Sequence, residues 1–424
     1  MGQIHQRADG ARTVTCRTDR RRAHLGVYAR GGSRFETSAN QGLSHFLEHM
    51  LFRGCDALPG PHAVALAFEK LGASFEGATM VDATMLTVDC PAANVHAVAR
   101  VLADVLRAPS FGGIETERGI VLEELLEDVD ENGRSVNADD LLRARLFGAH
   151  PLALPIAGTG AAVATFGEQD VREIYPRTFS RASAVTACAG PLAEAELRAI
   201  ADLLADALPS GTPLQTALWS GPAGQGFEDV KTDDSQCELR LGFLTPGAGH
   251  PDREAFELLM RIIDDGMSTR LYSRICNELG LCYDTQASHD THHEVGVFSL
   301  SGRIAPERAP ELVREWSLML TELAQGRIRD EEVIDAKART HWDADALLES
   351  PSSLLEHEAL ETLWGLPTDM SAWRAKVDAL TPDAIRRVAR EVFVPGTAAM
   401  VSVGPSTPKR HDKLVAAAAP WLGR

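Results

Sequence analysis

Residues 42–54 read Gly42-Leu-Ser-His-Phe-Leu-Glu-His-Met-Leu-Phe-Arg-Gly54, and the apolar positions in that stretch predict a helix. Leu43, Phe46, Leu47, Met50 and Leu51 recur at the i, i+3, i+4, i+7, i+8 spacing of a buried stripe, while His45, Glu48, His49 and Phe52 fall on the other side. A solvated face carries histidine and glutamate readily but seldom a phenylalanine in their midst, so this side is expected to line a cleft. His45 and His49 are four apart and project together, with Glu48 beside them. Two neutral imidazoles and a carboxylate converging on one point make a candidate zinc site with its own base.

Catalytic zinc usually takes three side chains and leaves a fourth position for water, so a third ligand is needed. The segment Glu117-Arg-Gly-Ile-Val-Leu-Glu-Glu124 offers one. Seven residues make nearly two helical turns, which places Glu117 and Glu124 on one face with Ile120 and Val121 between them. Two carboxylates on an apolar stripe are costly unless a metal, or a group ordered by it, compensates them.

Together with Gly32-Ser-Arg-Phe-Glu-Thr, these segments resemble the pitrilysin family of zinc peptidases, which includes insulin-degrading enzyme and mitochondrial processing peptidase. The string His45-Phe-Leu-Glu-His49 has the inverted H-x-x-E-H form. Glu124 stands 75 positions beyond His49, where the family places its glutamate ligand. The resemblance covers nearly the whole chain. It implies one zinc ion per chain held by His45, His49 and Glu124, with Glu48 taking the proton of the attacking water and Glu117 supporting the site from behind. It further implies substrate contacts at Phe52, Glu76, Ala78 and Thr79, with the peptide added as a strand near residues 75–82. The family usually has Asn-Ala where this chain has Glu76-Gly77. An ionised glutamate accepts hydrogen bonds and donates none.

The chain of 424 residues is long enough for two or three domains. Its net charge of −18 argues against nucleic acid as a partner. Seven scattered cysteines (Cys16, Cys55, Cys90, Cys188, Cys237, Cys276 and Cys282) form no C-x-x-C pair and suggest reduced thiols of a cytoplasmic protein. No apolar run is long enough to span a bilayer, and the first residues lack the apolar stretch of a secretory signal.

Two halves follow one pattern. A strand at 23–29, a Gly-rich loop and a helix in the first half match a strand at 237–244, the turn Pro246-Gly-Ala-Gly249 and a helix at 253–263 in the second. Each half continues with an extended segment (75–88 and 283–300) and two helices (94–109 and 114–130; 309–325 and 329–348). The expected fold is therefore α+β, with two similar domains in tandem, each a largely antiparallel sheet packed by helices. The boundaries expected are 1–208 for the zinc-binding domain, 209–228 for a linker rich in Gly, Pro and Ser, and 229–424 for a homologous domain without metal. Phe256, Leu259 and Met260 stand where a second metal motif would fall. His289, His292 and His293 are expected on the surface, and His341 and His357 as ordinary helix residues.

The resemblance also assigns an Arg and a Tyr, seven apart, to the carbonyl oxygen of the substrate. Tyr283 is present, but Cys276 occupies the arginine position and Arg274 is two residues off. These readings point to a zinc-dependent endopeptidase acting on small or unfolded peptides. The missing arginine suggests a heterodimer with a homologous subunit that keeps the Arg/Tyr pair, with a homodimer as the alternative. The other functional reading is a weakly active or structural subunit of such a heterodimer.

Overall fold

The computed structural model describes residues 2–423 and contains two sheets. The first half of the chain supplies β1 (Gln3–Gln6), β2 (Arg12–Arg17), β3 (Arg22–Ala29), β4 (Ser74–Thr79), β5 (Thr84–Pro91) and β6 (Ala184–Gly190), in the spatial order β1-β2-β6-β3-β5-β4. The second half supplies β7 (Gly226–Lys231), β8 (Cys237–Pro246), β9 (Asp284–Thr291), β10 (Val295–Ile304) and β11 (Ala399–Gly404), in the order β7-β11-β8-β10-β9. Without β1 the two orders are the same. Each sheet has one parallel pair, β2 with β6 and β7 with β11, and is otherwise antiparallel. The expected α+β fold with two tandem repeats is thus present at the level of topology.

Five helices of the first half concern the site and its surroundings: α1 (Leu43–Leu51), α2 (Pro61–Glu69), α3 (Val95–Arg107), α4 (Ile114–Glu124) and α5 (Ala138–Phe147). The described chain divides into two units, and neither is a continuous half. One combines the chain up to Glu127 with Leu154–Ala217 and Asp343–Met370; the other combines Asp128–Ala153, Leu218–Trp342 and the chain from Ser371. In the first unit the helix Pro351–Trp364 lays Leu354, Leu355, Ala359 and Leu363 on Val14, Tyr28, Val185 and Ala187. The opposite sheet face packs on the larger core of α1 and α3, so β6 is buried along its whole length and reads as small apolar residues without alternation. In the second unit α5 lies on β8, where a Cβ on Gly242 would stand 2.8 Å from Leu142 Cδ2. Asp139 Oδ1 of α5 accepts from Arg240 Nη1 of β8 at 3.1 Å. Helical periodicity foretells neither exchange, because it shows that a face is apolar but not which sheet receives it.

Leu43, Phe46, Leu47, Met50 and Leu51 of α1 are buried in the core of the first unit, as their spacing predicts. The helix begins at Gly42, whose φ of 91° suits glycine and which offers no capping side chain. Glu36 supplies the cap from outside the helix. Its buried carboxylate accepts from the backbone N–H groups of Gly42 and Ser44, each at 2.6 Å. Burial raises its affinity for a proton, while the bonds to Ser44 and Gly42 pull the other way. The same loop holds the far end of the β4–β5 hairpin, since Arg34 N donates to Val81 O at 2.8 Å and Met80 N closes the turn on Ala83 O at 2.7 Å. Gly32, with φ of 103°, approaches that turn so closely that a Cβ would lie 2.0 Å from Met80 O. Residues 32–36 therefore fix α1 and the end of β4 to one piece of backbone.

Removing the Glu36 carboxylate leaves two buried N–H groups unpaired at the start of α1, a loss of about 1.5–3 kcal/mol for charged hydrogen bonds. Glu36→Ala is expected to speed amide exchange across α1 by roughly tenfold or more, read by hydrogen-exchange mass spectrometry. Unchanged protection of α1 would remove Glu36 from this role.

Candidate metal centre

Three side chains meet between α1 and α4. His45 Nε2 and His49 Nε2 are 3.3 Å apart, Glu124 Oε1 lies 3.6 Å from His45 Nε2, and Glu124 Oε2 lies 3.5 Å from His49 Nε2. In a tetrahedral centre the spacing between ligands is about 1.63 times the bond to the metal, so zinc bonds of 2.0–2.2 Å call for spacings of about 3.3–3.6 Å. All three distances fall in that range, the two to Glu124 ending on different oxygens of its carboxylate. These three residues are the group found among the described residues with carboxylate, imidazole or thiol atoms close enough to share one ion. The imidazoles are mostly buried, whereas the Glu124 side chain is 50% exposed, leaving the centre open on that side.

Glu117 stands behind the triangle. Its Oε1 is 2.9 Å from His49 Nδ1, and its Oε2 is 3.3 Å from Arg53 Nη1. A carboxylate on the far nitrogen fixes the ring and leaves Nε2 free to face a cation. Burial, with a smaller push from neighbouring His49, lowers the pKa of His45 to about 4, so this ring is neutral and able to ligate at neutral pH. Burial acts on His49 in the same direction, but its bond to Glu117 and the charges of Glu48, Glu117 and Glu124 outweigh it and raise the pKa. Three carboxylates around two imidazoles make a site that favours a divalent cation.

Glu48 lies next to the triangle without belonging to it. It is 9% exposed, and its Oε2 accepts from Thr79 Oγ1 at 2.8 Å. Burial raises its pKa; the Thr79 bond and His49 oppose that shift, and Glu124 adds to it. Its other oxygen faces Gly77, where a Cβ would stand 2.6 Å from Oε1. The strand alternates about this point. Phe75, Gly77 and Thr79 face α1, with the Phe75 ring 4.5 Å from Phe52 and 4.6 Å from Phe68. Glu76 and Ala78 fall on the other face of β4. Glu76 is exposed and accepts from Ser74 Oγ at 2.8 Å, and Ala78 packs against the cluster that holds the helix Pro351–Trp364.

The structure gathers His45, His49, Glu124, Glu48, Glu117, Phe52 and Thr79, and departs from the sequence reading elsewhere. Val121 is buried between the two glutamates of α4, but Ile120 is 47% exposed, so the apolar stripe expected there is narrower. The extended segment expected over 75–88 is a hairpin: β4 stops at Thr79, the chain turns, and β5 begins at Thr84. His289 and His292 are not surface residues: His289 Nε2 lies 2.9 Å from Thr245 Oγ1 with its ring against Phe256, and His292 is buried. Strand alternation turns His289 inward onto the helix Arg253–Ile263. In the second unit Tyr283 is 93% exposed. Cys276 lies on the π-helical turn Ser273–Glu278, and Arg274 of that turn is bound to Glu315 at 3.0 Å and Glu278 at 2.9 Å. The sequence reading missed Glu36 and Arg53; for Arg53 a signal existed, since it follows His49 by one helical turn.

Residues 12–160 match the family described as Insulinase (Peptidase family M16), and residues 165–340 match the Peptidase M16 inactive domain. An uncharacterized zinc protease of Streptomyces coelicolor is 27% identical over 93% of this chain and 87% of its own length. Another from Mycobacterium tuberculosis is 26% identical over 92% and 89%. Among solved structures, one described as a peptidase M16 inactive domain from Pseudomonas fluorescens superposes with a TM-score of 0.87 at 20% identity, covering 96% of this chain and 98% of that one. A protease from Helicobacter pylori gives 0.84 at 17%, covering 96% and 99%. Two family matches that together span most of the sequence, and relatives named zinc proteases along nearly its full length, identify this chain as a member of peptidase family M16.

Proposed function

We propose that the chain is a zinc-dependent endopeptidase for small or unfolded peptides, with one zinc ion held by His45, His49 and Glu124. The observation that carries this reading is the convergence of His45 Nε2, His49 Nε2 and the Glu124 carboxylate at 3.3 Å between the nitrogens and 3.5–3.6 Å from each nitrogen to an oxygen, next to a buried carboxylate that is not part of the group. Zinc, when bound, supplies Lewis-acid polarisation of the scissile carbonyl and makes water acidic enough to attack near neutral pH. Glu48 takes the proton from that water and returns it to the leaving amine. Its burial, which raises its proton affinity, suits both halves of the task. Glu117 keeps His49 turned toward the ion. Among the described residues the edge strand β4 has no neighbour on its outer side in the sheet, so an extended peptide can add to it through main-chain hydrogen bonds with a loose sequence preference.

Tyr283 is the donor proposed for the substrate carbonyl. Its expected arginine partner is replaced by Cys276, and Arg274 is committed to two carboxylates. This favours a heterodimer with a homologue that carries the Arg/Tyr pair over a homodimer. No helix among the described residues is long and apolar enough to cross a membrane, and all seven cysteines are free, in keeping with a cytoplasmic protein.

Glu48→Gln is expected to keep zinc near the wild-type level and to lose hydrolysis, because an amide cannot take the proton of water. Glu124→Gln is expected to lose zinc, whereas Glu123→Gln is not. Metal analysis after dialysis, paired with a peptide assay, decides both; wild-type turnover by Glu48→Gln would sink its role as base. The isolated chain is expected to cleave about a hundredfold more slowly than the chain with its homologue, the usual cost of one missing carbonyl donor. Sedimentation and peptidase assays with and without the homologue test this, and full activity unchanged by the homologue would refute the two-subunit reading.

A further inference from the structure

We infer that Thr79 is a positioning residue for Glu48 and not, as its place in the sequence suggests, a substrate contact. The inference rests on the reading of Glu48 as the base. The Thr79 hydroxyl donates to Glu48 Oε2 at 2.8 Å, which commits that oxygen and leaves Oε1 on the side kept open by Gly77. A carboxylate with both oxygens free swings about its last bond; one oxygen tied to a fixed donor leaves a single oxygen to meet the water.

The donor is fixed by the same loop that fixes the acceptor. Thr79 is the last residue of β4, and the turn that follows is held by Arg34 N on Val81 O at 2.8 Å and by the close approach of Gly32 to Met80 O. Two residues further along this loop, Glu36 caps α1, the helix that carries Glu48. The distance between the hydroxyl and the carboxylate is therefore set by five residues of backbone, and peptide added to the outer edge of β4 need not alter it. Strand alternation points the Thr79 side chain at α1, on the same face as Phe75 and Gly77.

The test uses the zinc-loaded full chain in the assembly that cleaves a fluorogenic peptide. Thr79→Val keeps the shape and removes the donor. It is expected to lower kcat about 10- to 100-fold with KM within about twofold and zinc content unchanged, and Thr79→Ser to recover kcat to within about threefold. Peptide affinity, measured by fluorescence anisotropy, is expected to be equal in Glu48→Gln and Glu48→Gln/Thr79→Val. Weaker binding in the double variant, a rise in KM at constant kcat, or a serine variant as poor as the valine one would overturn the inference. Wild-type kcat in Thr79→Val beside an inactive Glu48→Gln defeats this inference alone; an active Glu48→Gln defeats the assignment of the base beneath it.

Discussion

Two imidazole nitrogens and a carboxylate held 3.3–3.6 Å apart in a mostly buried setting are the constraint around which the first unit is arranged. Side chains gather this closely only when their helices are fixed in phase and position. For α1 that fixing comes from a core of Phe46, Leu47, Met50 and Leu51 on one side and from Glu36 at its start. For α4 it comes from buried Val121 and from Glu117, which ties back to His49 and Arg53. Each buried carboxylate near the centre has partners: Glu36 two backbone amides, Glu117 an imidazole and a guanidinium, Glu48 a hydroxyl. Glu124, the most exposed, lies against the two imidazole nitrogens.

The second unit repeats the strand order of the first but carries no such cluster among its described residues. Phe256 and Leu259 occupy the helix that corresponds to α1 and sink into the core. One topology thus serves a candidate metal centre in one copy and plain packing in the other. Each sheet also takes a helix from the opposite half of the chain, Pro351–Trp364 on the first and α5 on the second. Neither half, cut at the linker, would keep both faces of its sheet covered.

Much of the site was legible because helical spacing is local. Positions 45, 48 and 49, and positions 117 and 124, follow from 3.6 residues per turn, and the distance from His49 to Glu124 matched a known family pattern. Glu36 and Thr79 were less so, because their roles depend on where a loop and a strand end meet α1, and nothing in a linear pattern encodes that meeting. Glu76 shows the limit in another form: its neighbours read as one substrate-binding segment, but a strand places alternate residues on opposite faces. The swapped helices were hidden for the same reason as the loop contacts. His289 and His292 misled because polar residue type, taken alone, suggests a surface.

The central claim is that His45, His49 and Glu124 form one zinc site, and anomalous diffraction at the zinc edge from crystals of the zinc-loaded chain tests it most directly. The account predicts a single strong peak about 2.0–2.2 Å from His45 Nε2, His49 Nε2 and a Glu124 carboxylate oxygen. A peak elsewhere, or none at stoichiometric zinc, would contradict it.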